Sequence, residues 1–343
     1  MIINKFTILG VFILSIFTIF FLTILSKIHD NLNHNFKRIF LNTHCLVSKT
    51  KKTNYDIQYI GALNNDLLIY DFRANTVYSL DTNLEINKKF GNNGMIANRF
   101  KLLVSCNSNN CEIILSDPYL KRVYIYNMYG KNLLKVISLR FTRLAGIDSN
   151  ILIFTKIDTL LRDIKFMVYN INTNEIKEVQ PILDLHRDYG IANDGFFITN
   201  MNKETAYISY YTSNVYIFKI KDKYLHLIKG STIDSNFKYP VAIQYAYNTF
   251  VPPGNVKEIN YTGYMSNKYI YILSKIKSSN DKLNLISKKD VIDVYDINNF
   301  TYKYSFIIKH YKGNSVKNFY VDDDTKNLYA VQGSYIIKYK ILQ

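Results

Sequence analysis

The chain has 343 residues, with 43 Lys and Arg against 27 Asp and Glu, for a formal charge of +16. At 48% hydrophobic and 20% charged it is too apolar for a disordered chain and too charged for a polytopic membrane protein. The absence of Trp beside 30 Tyr and 21 Phe excludes WD-type repeats and any site that needs an indole.

Phe6 to Leu25 is an uncharged run of 20 residues, broken only by Thr7, Gly10, Ser15, Thr18 and Thr23. At about 1.5 Å per residue a helix of that length spans a hydrocarbon core of about 30 Å. Its exit, Leu22-Thr-Ile-Leu-Ser-Lys27, has no small-residue cleavage pattern, so residues 1–26 are expected to be a transmembrane signal-anchor. The positive charges beside it would keep the following domain in the cytoplasm on a strict count. Long domains are translocated regardless of such charges, and an extracytoplasmic domain, periplasmic or extracellular, is expected. Residues 27–53 read as a juxtamembrane linker. Ile28, Leu32, Phe36, Ile39 and Phe40 recur at helical spacing, and Lys49 to Asn54 is a polar turn or linker. Lys5, Lys27, Lys37, Arg38, Lys49, Lys51 and Lys52 against Asp30 give residues 1–53 a charge of +6, which leaves +10 over the rest. That remainder is diffuse and mostly Lys, so nucleic acid is not an expected partner.

From Tyr55 the helical period gives way to short runs of Ile, Val, Tyr and Phe between Asn, Asp, Gly and Ser turns, the signature of strands. Six such runs begin at Asp66, Glu112, Ile151, Thr205, Tyr269 and Asn327. A second aromatic and β-branched run follows each, as in 76–80, 122–126, 165–169, 214–218, 291–295 and 335–339. Units of about 40–50 residues holding a four-stranded meander are propeller blades, so residues 54–343 predict an all-β domain with six blades. The wide spacing from Lys219 to Tyr269 leaves seven blades as the alternative. The last unit, 316–342, holds about three strands, and residues 36–47 could supply the missing one in competition with their helical reading.

One unit is sharper than the others. Leu115-Ser-Asp117-Pro-Tyr-Leu-Lys-Arg122-Val-Tyr-Ile-Tyr126 places Asp at the end of one strand and Arg at the start of the next, with Gly130 at the following turn. This resembles the NHL-type repeat of six-bladed propellers, and the neighbouring blade repeats the spacing with Asp71 and Thr76. The resemblance to NHL-type and TolB-like propellers implies the fold and carries no activity. Asp117 and Arg122 are expected to pin a blade turn.

Chemistry-bearing motifs are few. His186-Arg-Asp188 copies a kinase catalytic loop by chance, because the Gly-rich loop, strand Lys and metal-binding Asp are missing. The same loop could face the channel, which makes His186, with Asp184 or Asp188, the first candidate for a ligand contact. Cys106 and Cys111 suit a hairpin closed by a disulfide in an exported domain, and Cys45 is left over. Asp322-Asp-Asp324 lacks the spacing, Gly and closing Glu of a calcium loop and reads as a turn. Val251-Pro-Pro-Gly254 is an irregular loop near Tyr239, Tyr245, Tyr247 and Phe250. No metal site, cofactor or catalytic residue is expected from any motif. The expected role is a binding or scaffolding module for a protein or peptide partner at the cell envelope. The alternative is a hydrolase or lyase whose channel-lining residues come singly from different blades.

Overall fold

The computed structural model describes residues 14–22, 36–63, 66–71, 73, 76–90, 101–106, 111–117, 119–127, 133–148, 150–179, 183–200, 202–221, 224–233, 242–246, 249–252, 256, 258–281 and 288–342. Of the apolar run Phe6–Leu25, residues 14–22 form a helix with exposed side chains, and the rest lies outside the described residues. Among the described residues no helix is long and apolar enough to cross a membrane.

The first strand, β1 (Phe40–Lys52), is followed by four-stranded antiparallel meanders. Blade 1 is β2 (Ile57–Leu63), β3 (Asp66–Asp71), β4 (Thr76–Leu80) and β5 (Ile86–Phe90). Blade 2 is β6 (Lys101–Cys106), β7 (Cys111–Asp117), β8 (Arg122–Asn127) and β9 (Leu133–Ser138). Blade 3 is β10 (Arg143–Asp148), β11 (Ile151–Asp158), β12 (Asp163–Asn170) and β13 (Ile176–Glu178). Blade 4 is β14 (Gly195–Thr199), β15 (Glu204–Ser209), β16 (Asn214–Lys221) and β17 (Tyr224–Ser231). A separate hairpin, β18 (Ile243–Ala246) and β19 (Thr249–Val251), fills the wide spacing after it. It is not a blade, so the ring has six blades and the seven-bladed alternative falls. Blade 5 is β20 (Asn260–Met265), β21 (Tyr269–Ser274), β22 (Lys289–Asp296) and β23 (Tyr302–Lys309). Blade 6 takes β24 (Val316–Asp322), β25 (Asn327–Gln332) and β26 (Tyr335–Leu342) from the end of the chain.

The six first strands, β2, β6, β10, β14, β20 and β24, neighbour one another in a closed cycle around the axis. The sequence repeat corresponds to the second and third strands of every blade. Second strands such as β3 and β25 are buried along most of their length because both faces meet neighbouring blades. They therefore read as continuous apolar runs rather than alternating ones. The core lies between blades: Phe166 of blade 3 packs against Phe197, Tyr207 and Phe218 of blade 4, with Tyr207 at 4.9 Å and 82°.

The ring closes through β1. It pairs antiparallel with β26, from His44 opposite Leu342 to Lys52 opposite Tyr335, and becomes the fourth strand of blade 6. Its start also runs parallel to β23, with Phe40 opposite Ser305, so blades 5 and 6 share one eight-stranded sheet. This corrects two expectations. Ile39 and Phe40 are not helical, and Lys49–Lys52 is strand rather than linker, so the propeller begins upstream of residue 54. The polar residues there fit an outermost strand, where one edge and much of the surface face water.

Because adjacent strands in a blade are antiparallel, the loops between second and third strands lie on one face of the ring. The connections between blades share that upper face. The loops between first and second strands, and between third and fourth, form the lower face.

Candidate functional site

On the lower face a cavity of about 250 Å³ opens among the ends of β2, β14, β20 and β24. Its wall includes Tyr59, Asn200, Tyr264, Lys268 and the run Tyr320–Asp324. The alternation of β24 explains the wall: Phe319 and Val321 are buried in the blade, while Tyr320 and Asp322 keep partial exposure at the mouth. Tyr264 and Tyr320 meet edge to face at 4.9 Å and 74°. The Tyr271 hydroxyl donates to Asp323 Oδ1 at 2.5 Å. Burial, and then neighbouring phenols and carboxylates, raise the Tyr264, Tyr271 and Tyr320 phenols well above their ordinary range. They stay protonated at neutral pH and act as O–H donors.

The three consecutive carboxylates have different jobs. Asp322 Oδ1 accepts the N–H groups of Asp324 and Thr325, at 3.1 and 3.2 Å, and Oδ2 accepts the Thr325 hydroxyl. That is a turn cap, as the sequence suggests. Asp323 is held by Tyr271, and Asp324 is exposed at the cavity wall. Carboxylates beside tyrosine faces form a receptor for a cation, through charge-assisted hydrogen bonds and cation–π contact. Lys268 adds one positive charge to the same wall.

The upper face holds the residues singled out in the sequence. Asp184, His186 and Asp188 share the connection between blades 3 and 4, and none of them borders the lower cavity. Asp184 is exposed. The His186 N–H donates to Asp163 Oδ2 at 2.7 Å. Asp188 is buried, and its carboxylate accepts the N–H groups of Gly190, Ile191 and Ala192, each at 3.0 Å. Arg187, Tyr189 and Gly190 have φ of +56°, +60° and +85°. A Cβ on Gly190 would stand 2.3 Å from Ile164 Cγ2, so this wound loop requires glycine there. Phe250 of β19 packs on Tyr189 at 5.3 Å, which ties the irregular Val251–Gly254 region to the same loop; Pro253 and Gly254 lie outside the described residues.

Asp117 and Arg122 face each other at the end of β7 and the start of β8. Asp117 is buried and accepts the N–H groups of Tyr119 and Leu120, both at 2.9 Å, while Arg122 is exposed. Cys106 and Cys111 are opposite in register across the β6–β7 hairpin, and the side chains that would form the bridge lie outside the described residues. Cys45 is a free thiol that burial pushes up to about 12.

Two clusters escaped the sequence reading. Arg143 reaches the next blade through Asp194 Oδ2 at 2.7 Å and the Gly195 carbonyl at 2.8 Å. Asp290 Oδ1 accepts Lys275 Nζ at 3.0 Å, and its Oδ2 accepts the Val316 N–H at 2.7 Å and lies 3.2 Å from His310 Nε2. The tyrosine mouth did leave a signal: Tyr264-Met-Ser-Asn and Tyr320-Val-Asp-Asp each place Tyr just ahead of a polar turn.

No protein-family model matches the chain, and no curated protein sequence matches it. Solved structures are similar in fold. A member of the DUF4221 family from Bacteroides vulgatus is 14% identical, with a TM-score of 0.54 over 89% of this chain and 99% of that one. A streptogramin B lyase is 9% identical, with a TM-score of 0.51 over 89% of this chain and 100% of that one. At such identities the likeness extends to the six-bladed fold alone.

Proposed function

We propose that the chain is a membrane-anchored propeller, with blades of NHL or TolB-like type, that binds a protein or peptide partner at the cell envelope. The partner presents a Lys or Arg side chain to the lower-face mouth. One observation carries this reading: residues from four blades converge there on a cavity with protonated phenols and the carboxylates of Asp323 and Asp324. The run Phe6–Leu25 supports the anchor, and the domain is proposed to lie outside the cytoplasm. Calorimetric titration with a short Lys-containing peptide and its Glu counterpart tests it. The Lys peptide should bind, the Glu peptide should not, and Asp324→Asn should weaken binding about tenfold, as expected for one lost charge-assisted hydrogen bond. Equal binding of both peptides, or no effect of Asp324→Asn, would contradict the reading.

A second reading, a hydrolase or lyase, is favoured by the meeting of Lys275, Asp290 and His310 on the upper face. The same carboxylate also ties blade 5 to blade 6 through Val316, a structural duty that weighs against it. Turnover that disappears in His310→Gln while the fold persists would move the assignment to this cluster.

A further inference from the structure

We propose that the upper face docks on an anionic lipid surface through the tips of blades 2 and 3 and the loop after blade 3. The tips of β7–β8 and β11–β12 share one design, Asp117-Pro-Tyr-Leu-Lys121 and Asp158-Thr-Leu-Leu-Arg162. In each, the Asp carboxylate accepts the N–H groups two and three residues ahead, at 2.8 to 2.9 Å. The closing cation is left-handed, with φ of +55° at Lys121 and +53° at Arg162. The side chains at each apex are apolar and open to solvent: Tyr119 is 65% exposed, Leu120 48%, Leu160 92% and Leu161 38%.

The turn does not call for them. The same backbone recurs on the lower face at Asn170–Asn174 and Asp322–Lys326, with left-handed Asn174 and Lys326. There the apex positions are Asn172 and Thr173, or Asp324 and Thr325. Leu185 and Arg187 repeat the pairing of an exposed Leu with a left-handed Arg on the neighbouring loop.

Charge agrees with the apolar tips. Of the seven arginines among the described residues, Arg73, Arg122, Arg140, Arg143, Arg162 and Arg187 belong to this face, Arg143 already paired with Asp194, and Arg38 is buried. Asp163 and Asp188 are buried on backbone N–H groups, and Asp158 pairs with Lys165 at 2.9 Å. Asp184 is exposed, as is Glu178, which lies 3.1 Å from Lys165. Apolar side chains entering the headgroup layer, with guanidinium groups on the phosphates, are what an anionic bilayer surface rewards. Nucleic acid would use the arginines and gain nothing from Leu160. The Phe36 carbonyl, ahead of β1, accepts the Ser279 N–H at 3.0 Å in the upper-face loop between β21 and β22.

The proposal rests on the anchor proposed above only for the nearness of a bilayer. Hydrogen exchange on the full chain tests it, in nanodiscs of phosphatidylcholine with or without phosphatidylglycerol. Amides of residues 119–122 and 160–162 should exchange about tenfold more slowly in the anionic discs. Those of 324–326 should not change, and Leu160→Asp with Arg162→Glu, which leaves the Asp158 cap in place, should lose the protection. Equal exchange in both discs, or the same slowing at 324–326, overturns the proposal. So does slowing by duplex DNA without lipid, which would assign the face to nucleic acid. Co-elution with the discs scores the anchor separately; if it fails, anionic vesicles added to the free chain score the face by the same amides.

Discussion

Arg38 shows how much one side chain can decide in a ring closed by its own N-terminal strand. It is buried, and all five guanidinium N–H groups have acceptors. Nε and Nη2 grip the Asp293 carboxylate at 2.8 and 3.1 Å, and Nη2 also donates to Ser274 Oγ at 2.8 Å. Nη1 donates to Asp281 Oδ2 and the Ile276 carbonyl, at 2.8 and 3.1 Å. Burial alone would lower its pKa; Asp293 and Asp281 outweigh this and raise it above the ordinary Arg range. Replacing Arg38 by Met leaves Asp293 buried without its cation, so urea unfolding should show a loss of about 3–5 kcal/mol, typical of a broken buried pair. A loss within the scatter of surface substitutions would contradict the clamp. Nothing local in the sequence marks this residue, because its partners lie more than 230 positions away and it stands in a stretch that reads as linker. Asp117 and Arg122 were legible for the opposite reason: their contact spans one hairpin, and strand spacing predicts it.

At the scale of elements, a buried polar residue closes the second strand of five blades, Asp71, Asp117, Ser209, Ser274 and Gln332, and in blade 3 the buried Thr155 stands three residues before the strand's end. Several of them bond the connection that enters their own blade. Asp71 accepts the Asp56 N–H at 3.2 Å, Thr155 Oγ1 the Arg143 N–H at 3.1 Å, and Gln332 Oε1 the Tyr311 N–H at 2.5 Å. The second and third strands were legible because apolar and β-branched residues crowd them. First strands divide their faces between channel and blade, and fourth strands between blade and solvent, so their patterns are weaker. The strand β1 was half legible, since its helical and extended readings compete in the same apolar positions. Its role predicts a clear outcome: a chain begun at residue 54 should melt well below one begun at residue 36 and associate through the bare edge of β26. Equal melting temperatures, with both chains monomeric on gel filtration, would contradict closure by β1.

At the scale of the whole molecule the two faces differ: six arginines and the exposed Tyr and Leu tips are on the upper face, and the cavity of Tyr264, Tyr320, Asp323 and Asp324 is on the lower. Most of this was illegible in composition, because the +16 charge and the 30 Tyr are totals and only the ring sorts them by face. Global stability should carry the mark of buried phenols on both faces. Burial, and at Tyr210 also the Asp194 charge, pushes Tyr210 and Tyr304 up to about 12, and burial does the same to Cys45. Groups raised in the folded state stabilise it fully below their unfolded values, near 10 for phenols and 8.5 for thiols, and that contribution is lost as pH rises through 12. The ring should therefore hold its fold to about pH 10 and unfold cooperatively above it, read as a sharp rise in tyrosinate absorbance with loss of β circular dichroism. A gradual titration with the fold intact would contradict this.

The central claim, that one face meets lipid and the other a protein, can be tested in native membranes with a photo-crosslinking benzoylphenylalanine placed at Asn267 or at Leu160. Asn267, at the acidic mouth, should give protein adducts, and Leu160, at the tip of blade 3, lipid adducts. Protein adducts at Leu160 with none at Asn267 would contradict it.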